Sequence, residues 1–280
     1  MPQKKYTHLF FDLDNTIWDF NSNSYVALRS ALNKLLLLEK IGSYDTFFNI
    51  YCEVNEKLWE LYRHGLMTKK VLSVQRFEES FEKHGMPEII DGGVVNDAYL
   101  SEMPAQTLLV EGARRVLDYL HGKYEIAIIT NGFKEVQYDK IRKSELTKYF
   151  RKIFISEEVG AQKPGKQIFE HAIRSMNAPK KSSLMIGDSW EADILGAMKF
   201  GIDQIYYNPK NEKKSQEDLY LQSLDHNICD ISNTEPCFSQ GNQKNINNLN
   251  PMIPYLYEWV RHSQPLYYLH PLIPFPIILC

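Results

Sequence analysis

From Gly112 onward the chain repeats one arrangement: a stretch with its apolar residues at helical spacing, a stop, then a short apolar run. Ala113, Val116, Leu117 and Leu120 form one such stripe, which stops at Gly122 before a strand predicted over residues 125–130. The pattern predicts further helices over 136–149, 167–176 and 191–200, and strands over 152–156, 183–187 and 204–207. Strands alternating with helices leave little choice of fold: a parallel sheet covered on both faces, of the doubly wound α/β class. Ligands of such sheets bind at the carboxyl ends of the strands. The informative polar residues are therefore expected where strands stop.

An earlier strand is predicted over residues 6–13, where an aromatic-rich apolar run breaks into the polar turn Asp12-Leu13-Asp14-Asn15-Thr16. Between it and the strand at 125 the patterns are helical. They run over 24–38 with a stop at Gly42, over 44–64 between Ser43 and Gly65, and over 68–84 with a stop at Gly85. In the second, Phe47, Tyr51, Val54, Leu58, Leu61 and Tyr62 recur at helical spacing. The expected organisation is a core made of 1–20 and 105–227, an all-helical insert over 21–104, and a tail over 228–280. Seven of the thirteen prolines fall in that tail, beside an Asn/Gln-rich stretch over 240–250, and neither strand nor helix periodicity survives there.

Length and composition narrow the function classes. A chain of 280 residues, 44% hydrophobic and 24% charged, can bury a core without an obligate partner. Its net charge of -3 provides no basic footprint for nucleic acid. The four cysteines form neither zinc-type pairs nor a disulfide framework, which favours reduced thiols in a cytoplasm. The N-terminus lacks the features of a signal peptide, and prolines interrupt the apolar run over 266–280 too often for a membrane span. The expectation is a cytoplasmic monomer or homodimer with no membrane partner.

Asp12 and Asp14 lie two apart at the end of the first strand, so both carboxylates are expected on one side. Like charges that close imply a bound cation, an acid/base division of labour, or both. Thr130 and Asn131, followed by Gly132, offer a hydroxyl, an amide and free backbone N–H groups as a phosphate cradle. Lys163 follows a strand in Gly160-Ala161-Gln162-Lys163-Pro164-Gly165, where its ammonium can neutralise an anion. Asp188 ends the strand over 183–187, with Asp193 five residues on. Singly, each has an ordinary reading as a turn residue, a surface lysine or a helix-start carboxylate. Four strand ends carrying Asp-x-Asp, Thr-Asn, Lys and Asp in chain order are hard to assemble by accident.

The quartet Asp-Leu-Asp-Asn-Thr, Ile-Thr-Asn-Gly, Gln-Lys-Pro-Gly and Gly-Asp-Ser-Trp-Glu-Ala-Asp resembles the four motifs of the haloacid dehalogenase-like (HAD) hydrolases, with a helical cap of the first type between motifs one and two. That resemblance covers roughly residues 6–208. It implies a magnesium-dependent phosphatase in which Asp12 is the nucleophile and forms an aspartyl phosphate, and Asp14 is the general acid and base. By the same resemblance Thr130 and Asn131 hold the phosphoryl group, Lys163 offsets its charge, and Mg2+ sits on Asp12, the Asp14 carbonyl and Asp188, with Asp193 behind or beside them. Within the superfamily the segments Val54-Asn55-Glu56-Lys57-Leu58-Trp59-Glu60-Leu61-Tyr62, Ile129-Thr130-Asn131-Gly132-Phe133 and Ile155-Ser156-Glu157-Glu158-Val159-Gly160 look most like the pyrimidine 5′-nucleotidases of the YjjG type. The substrate implied is a small phosphomonoester, a pyrimidine nucleoside monophosphate.

In the insert, Asn55, Trp59 and Tyr62 at offsets of four and three share a helix face suited to stacking and reading a base, although aromatics so spaced also serve as core. Phosphosugar phosphatases and mutases share all four motifs and are the main alternative. A dehalogenase would not need Asp14 or a metal. A receiver-type signalling domain leaves no room for an insert between Asp14 and Thr130.

Overall fold

The computed structural model describes residues 6–87 and 91–208, and the backbone of 228–230. Six strands form one sheet: β1 (His8–Phe11), β2 (Glu125–Thr130), β3 (Lys152–Ile155), β4 (Ser183–Gly187), β5 (Asp203–Tyr206) and β6 (Ile228–Asp230). Their order is β3-β2-β1-β4-β5-β6, and every pairing is parallel. Phe11 stands opposite Ile128 on one side and Ile186 on the other, so β1 is central and its end lies level with the ends of β2 and β4.

The apolar runs are continuous because both sheet faces are covered. Leu9 and Phe11 join Ile126, Ile128, Leu184 and Ile186 on one face. Phe10 joins Ala127, Ile129 and Met185 on the other, beneath Ile168, Phe169 and Ala172 of a helix over Lys166–Met176. Period-two side-chain alternation thus feeds two separate cores from the same strands.

The insert is helical as expected. It holds α1 (Phe20–Lys34), α2 (Leu38–Ile41), α3 (Tyr44–Arg63), α4 (Lys69–Lys83) and α5 (Gly92–Glu102). Side-chain caps set their starts: Asp19 accepts from the Ser22 N–H, Ser43 from Thr46 and Thr68 from Val71. The core helices are α6 (Ala113–Leu120), α7 (Lys134–Lys143), α8 (Ser156–Val159), α9 (Lys166–Met176) and α10 (Gly196–Phe200).

Four expectations change. The helix predicted over 136–149 spans Lys134–Lys143 and stops where Glu145 takes a positive φ of 57°, leaving a separate 3-10 turn over Thr147–Tyr149. The helix predicted over 24–38 begins earlier, at Phe20, because the Asp19 cap starts it, and it breaks after Lys34, where Leu36 takes a positive φ of 57°. The helix predicted over 191–200 opens with a wide π-helical turn, Trp190–Leu195. After Asn227, where no regular structure is expected, Ile228–Asp230 pairs with β5 as an edge strand, three residues being too few to show periodicity. The rest of the predicted tail lies outside the described residues.

Candidate active site

Four strand ends converge as the sequence predicts. Beyond Phe11 the chain stays on the sheet for one more residue, since the Asp12 N–H donates to the Ile186 carbonyl. It then folds tightly: the Leu13 carbonyl accepts from both Ile17 and Trp18, and Asn15 takes a positive φ. This turn carries Asp12 and Asp14 into a cleft of about 570 Å³ with Thr130, Asn131, Lys163, Asp188 and Asp193.

Lys163 is the hub. Its buried Nζ donates to Asp12 Oδ1 at 2.6 Å, Asp193 Oδ1 at 2.6 Å and the Ile129 carbonyl at 2.8 Å. With three acceptors around it and two of them carboxylates, its pKa is raised despite burial. Asn131 fixes the loop that delivers it. The Asn131 amide donates to the Lys163 carbonyl at 2.8 Å and accepts from the Lys163 N–H at 2.9 Å. In place of the expected phosphate contact, the Asn131 side chain is committed to holding Lys163.

Asp193 is likewise committed. The π-helical turn brings it back against β4, where Oδ2 accepts from the Ser189 N–H at 3.0 Å while Oδ1 holds Lys163. Asp188 accepts from the Thr16 hydroxyl at 3.2 Å. Oxygens of Asp12, Asp188 and Asp193 all lie within 4.8 Å of one another. Burial is the main cause that pushes Asp12 up to about 7, offset by Lys163 and reinforced by Asp193 and Asp14. Asp188 is raised by burial and by the charges of Asp12 and Asp193.

Three carboxylates against one ammonium leave a charge of -2 when all are ionised. A hard divalent cation with oxygen ligands fits both that charge and that spacing. Among the described residues Asp12 and Asp188 each keep one oxygen without a hydrogen-bond donor, whereas both Asp193 oxygens accept one, so Asp12 and Asp188 are the more open of the three carboxylates.

Thr130 is presented by two donors. Gln137 Nε2 at 2.7 Å and the Gly132 N–H at 3.0 Å both point at its Oγ1, which leaves the hydroxyl hydrogen to aim elsewhere. Gln137 also donates to Asp14 Oδ2 at 2.9 Å, and Lys140 donates to Asp14 Oδ1 at 2.8 Å. Neither Gln137 nor Lys140 was foreseen from sequence. Both are almost fully buried on α7, three residues apart and so on one helix face, and that spacing next to a strand-end motif was the available signal.

From the insert, Asn55 and Trp59 line the cleft, along with Tyr51 and Arg63. Tyr62 does not line it. Its ring stands edge-on to Trp59 at 5.5 Å and to Phe133 at 6.5 Å, while Trp59 tilts on Phe133 at 5.0 Å. The expected base-stacking face therefore loses Tyr62, which packs where insert meets core.

Residues 6–201 match the family model of the haloacid dehalogenase-like hydrolases. The chain belongs to that family. As a HAD hydrolase it is an enzyme, a phosphatase of the superfamily. It is 32% identical to pyrimidine 5′-nucleotidase YjjG of Escherichia coli over 76% of this chain and 90% of that protein. It is 33% identical to pyrimidine 5′-nucleotidase PynA of Streptococcus pneumoniae over 80% of this chain and 97% of that one. A magnesium-bound crystal structure of the putative HAD-hydrolase YfnB of Bacillus subtilis superposes with a TM-score of 0.69 at 29% identity, covering 78% of this chain and 98% of that one. These matches uphold the family and fold read from the four motifs. No helix among the described residues is long and apolar enough to cross a membrane.

Proposed function

We propose that this HAD hydrolase is a magnesium-dependent phosphomonoesterase that works through an aspartyl phosphate at Asp12, and that its substrates are pyrimidine nucleoside 5′-monophosphates. The observation that carries the chemistry is the Asp12–Lys163–Asp193 array. It holds a buried carboxylate at the mouth of the sheet with one oxygen fixed on an ammonium.

Asp12 attacks phosphorus as its bond to the ester oxygen breaks, and Asp14 supplies the proton to the departing alkoxide. Water then attacks the acyl phosphate, Asp14 takes its proton, and inorganic phosphate leaves with Asp12 regenerated. Lys163 and the Thr130 hydroxyl stay close to the phosphoryl oxygens as charge moves onto them. Asn131 offers the phosphate its backbone N–H, its side chain being engaged with Lys163. Asp12, Asp188 and the Asp14 carbonyl would hold Mg2+, which would supply the remaining charge neutralisation, with Asp193 behind as the anchor of Lys163.

The substrate class is supported by the cleft wall of Asn55, Trp59 and Tyr51 and by the pyrimidine nucleotidases among the relatives. Phosphate release with Mg2+ is measured for thymidine and uridine monophosphates, purine nucleotides and hexose phosphates. The pyrimidine nucleotides are expected to lead. A preference for hexose phosphates replaces this reading with a phosphosugar phosphatase. Asp12→Asn is expected to lower the rate at least about a thousandfold, because a carboxamide cannot act as the nucleophile. Chelator-resistant turnover excludes the mechanism.

A further inference from the structure

The insert buries an arginine that has no carboxylate to pair with among the described residues. Arg76 on α4 is 2% exposed, with its guanidinium over the rings of Phe77 at 4.8 Å, Tyr99 at 5.2 Å and Phe133 at 5.8 Å. Its polar partners are two side-chain amides. Nη1 donates to Asn55 Oδ1 on α3 at 3.3 Å, and Nη2 donates to Asn96 Oδ1 on α5 at 2.8 Å. The planar fork thus ties three helices through two asparagines, which a lysine's single nitrogen could not do with the same geometry.

This has a chemical consequence at the cleft. Arginine carries five N–H donors and no acceptor, so the atom an asparagine turns toward it must be oxygen. The usual ambiguity between amide oxygen and nitrogen does not arise here. Asn55 lines the cleft, and its Nδ2 has no hydrogen-bond partner among the described residues.

We propose that Arg76 is a positioning residue that locks the Asn55 amide with its NH2 toward the cleft, so that the insert reads a carbonyl oxygen on the substrate base. The proposal rests on the nucleotidase reading and refines it. Uracil and thymine carry two ring carbonyls and adenine carries none. A donor fixed in place favours the former, and it cannot turn over to present its oxygen because that would set the amide NH2 against the N–H groups of a buried cation.

The test compares kcat/KM for uridine monophosphate, adenosine monophosphate and ribose 5-phosphate in the wild type, Asn55→Asp, Arg76→Met and the double variant, with thermal denaturation to establish folding. Asn55→Asp keeps an acceptor on Arg76 but turns a second oxygen toward the base. It is expected to lower kcat/KM for uridine monophosphate ten- to hundredfold, on the order of one charged hydrogen bond, beyond any loss on ribose 5-phosphate. Arg76→Met is expected to lower the same ratio, and adding Asn55→Asp to lower it little further, since both act on one contact.

An arginine with a merely structural role would reduce both substrates alike. Where Arg76→Met does not fold, Asn55→Asp decides alone. A base-selective wild type whose selectivity survives in folded Asn55→Asp overturns this inference and leaves the nucleotidase standing. A wild type that favours ribose 5-phosphate removes the nucleotidase itself.

Discussion

Asp12 and Asp188 sit close to each other and to Asp193, with a single ammonium among them, and burial makes each harder to ionise in the folded chain than in the unfolded one. A carboxyl whose folded pKa is raised gives stability that is complete below its unfolded pKa and is lost as pH rises toward the folded one. For Asp12 that window runs from the ordinary 3.8 to about 7, and Asp188 shifts in the same direction. Magnesium binds the ionised form, so the gain in Tm from adding Mg2+ to chelator-treated protein is expected to grow steadily across this window. Thermal denaturation with and without Mg2+ at stepped pH checks it, and Asp188→Asn should abolish most of the increment. A gain independent of pH would mean that these carboxylates are not the ligands. The acidic members of this cluster were legible from sequence because strand ends announce themselves. Gln137 and Lys140 carried only their three-residue spacing after a strand-end motif, which does not by itself say that their helix face will lie over Asp14. The commitment of Asn131 to a backbone 32 residues away was equally hidden.

The elements show why the strand ends must carry the residues they do. Gly187 closes β4 with Asp193 folded back upon it, and a Cβ there would stand 2.2 Å from Asp193 Oδ2. Gly187→Ala must push aside a carboxylate that is fully buried and holds both Lys163 and the Ser189 N–H. The expected cost is about 1–3 kcal/mol, typical of overpacking. Displacing the anchor of Lys163 should also lower kcat/KM on the order of a hundredfold. Urea denaturation and phosphate release on one preparation separate the two effects, and an Ala variant with wild-type turnover would mean that the Asp193 contact is dispensable. The π-helical turn that brings Asp193 back reads in sequence as the start of an ordinary helix, because a wide turn leaves no periodic trace over six residues. α5 escaped prediction for a related reason. It opens with Gly92-Gly93, continues with Val94-Val95, and its buried face includes Asn96, so neither propensity nor an apolar stripe marks it. α3 was plain by contrast, with Ser43 capping a long stripe of buried residues.

At the scale of the whole molecule, insert and core meet around the cleft through contacts between residues far apart in sequence. Lys69 bridges Glu135 and Glu157, Gln162 Nε2 donates to the Tyr62 and Arg63 carbonyls, and Phe133 packs on Trp59. Such pairings carry no signature in a single sequence, which is why Trp59 and Tyr62 read equally well as a binding face or as packing. Every residue assigned to the site lies between Asp12 and Asp193, and the family match ends at residue 201. Beyond residue 201, Tyr206 of β5 still lines the cleft. Ile228–Asp230 extends the sheet, pairing in parallel with Gln204, Ile205 and Tyr206 on the side of β5 away from β4. Two chain ends therefore differ in what they remove. A chain ending at Asp230 keeps all six strands and every residue assigned to the site, and is expected to retain kcat/KM within about twofold. A chain ending at Asn227 leaves the outer edge of β5 unpaired, and at about 1 kcal/mol for each net backbone hydrogen bond it should be about 1–3 kcal/mol less stable. Its turnover at low temperature should survive, because β5 contributes no group to the phosphoryl chemistry. Denaturation midpoints and phosphate release on the two truncations give the answer. A chain ending at Asp230 that folds with an unchanged midpoint yet has lost activity would place part of the working site in residues 231–280.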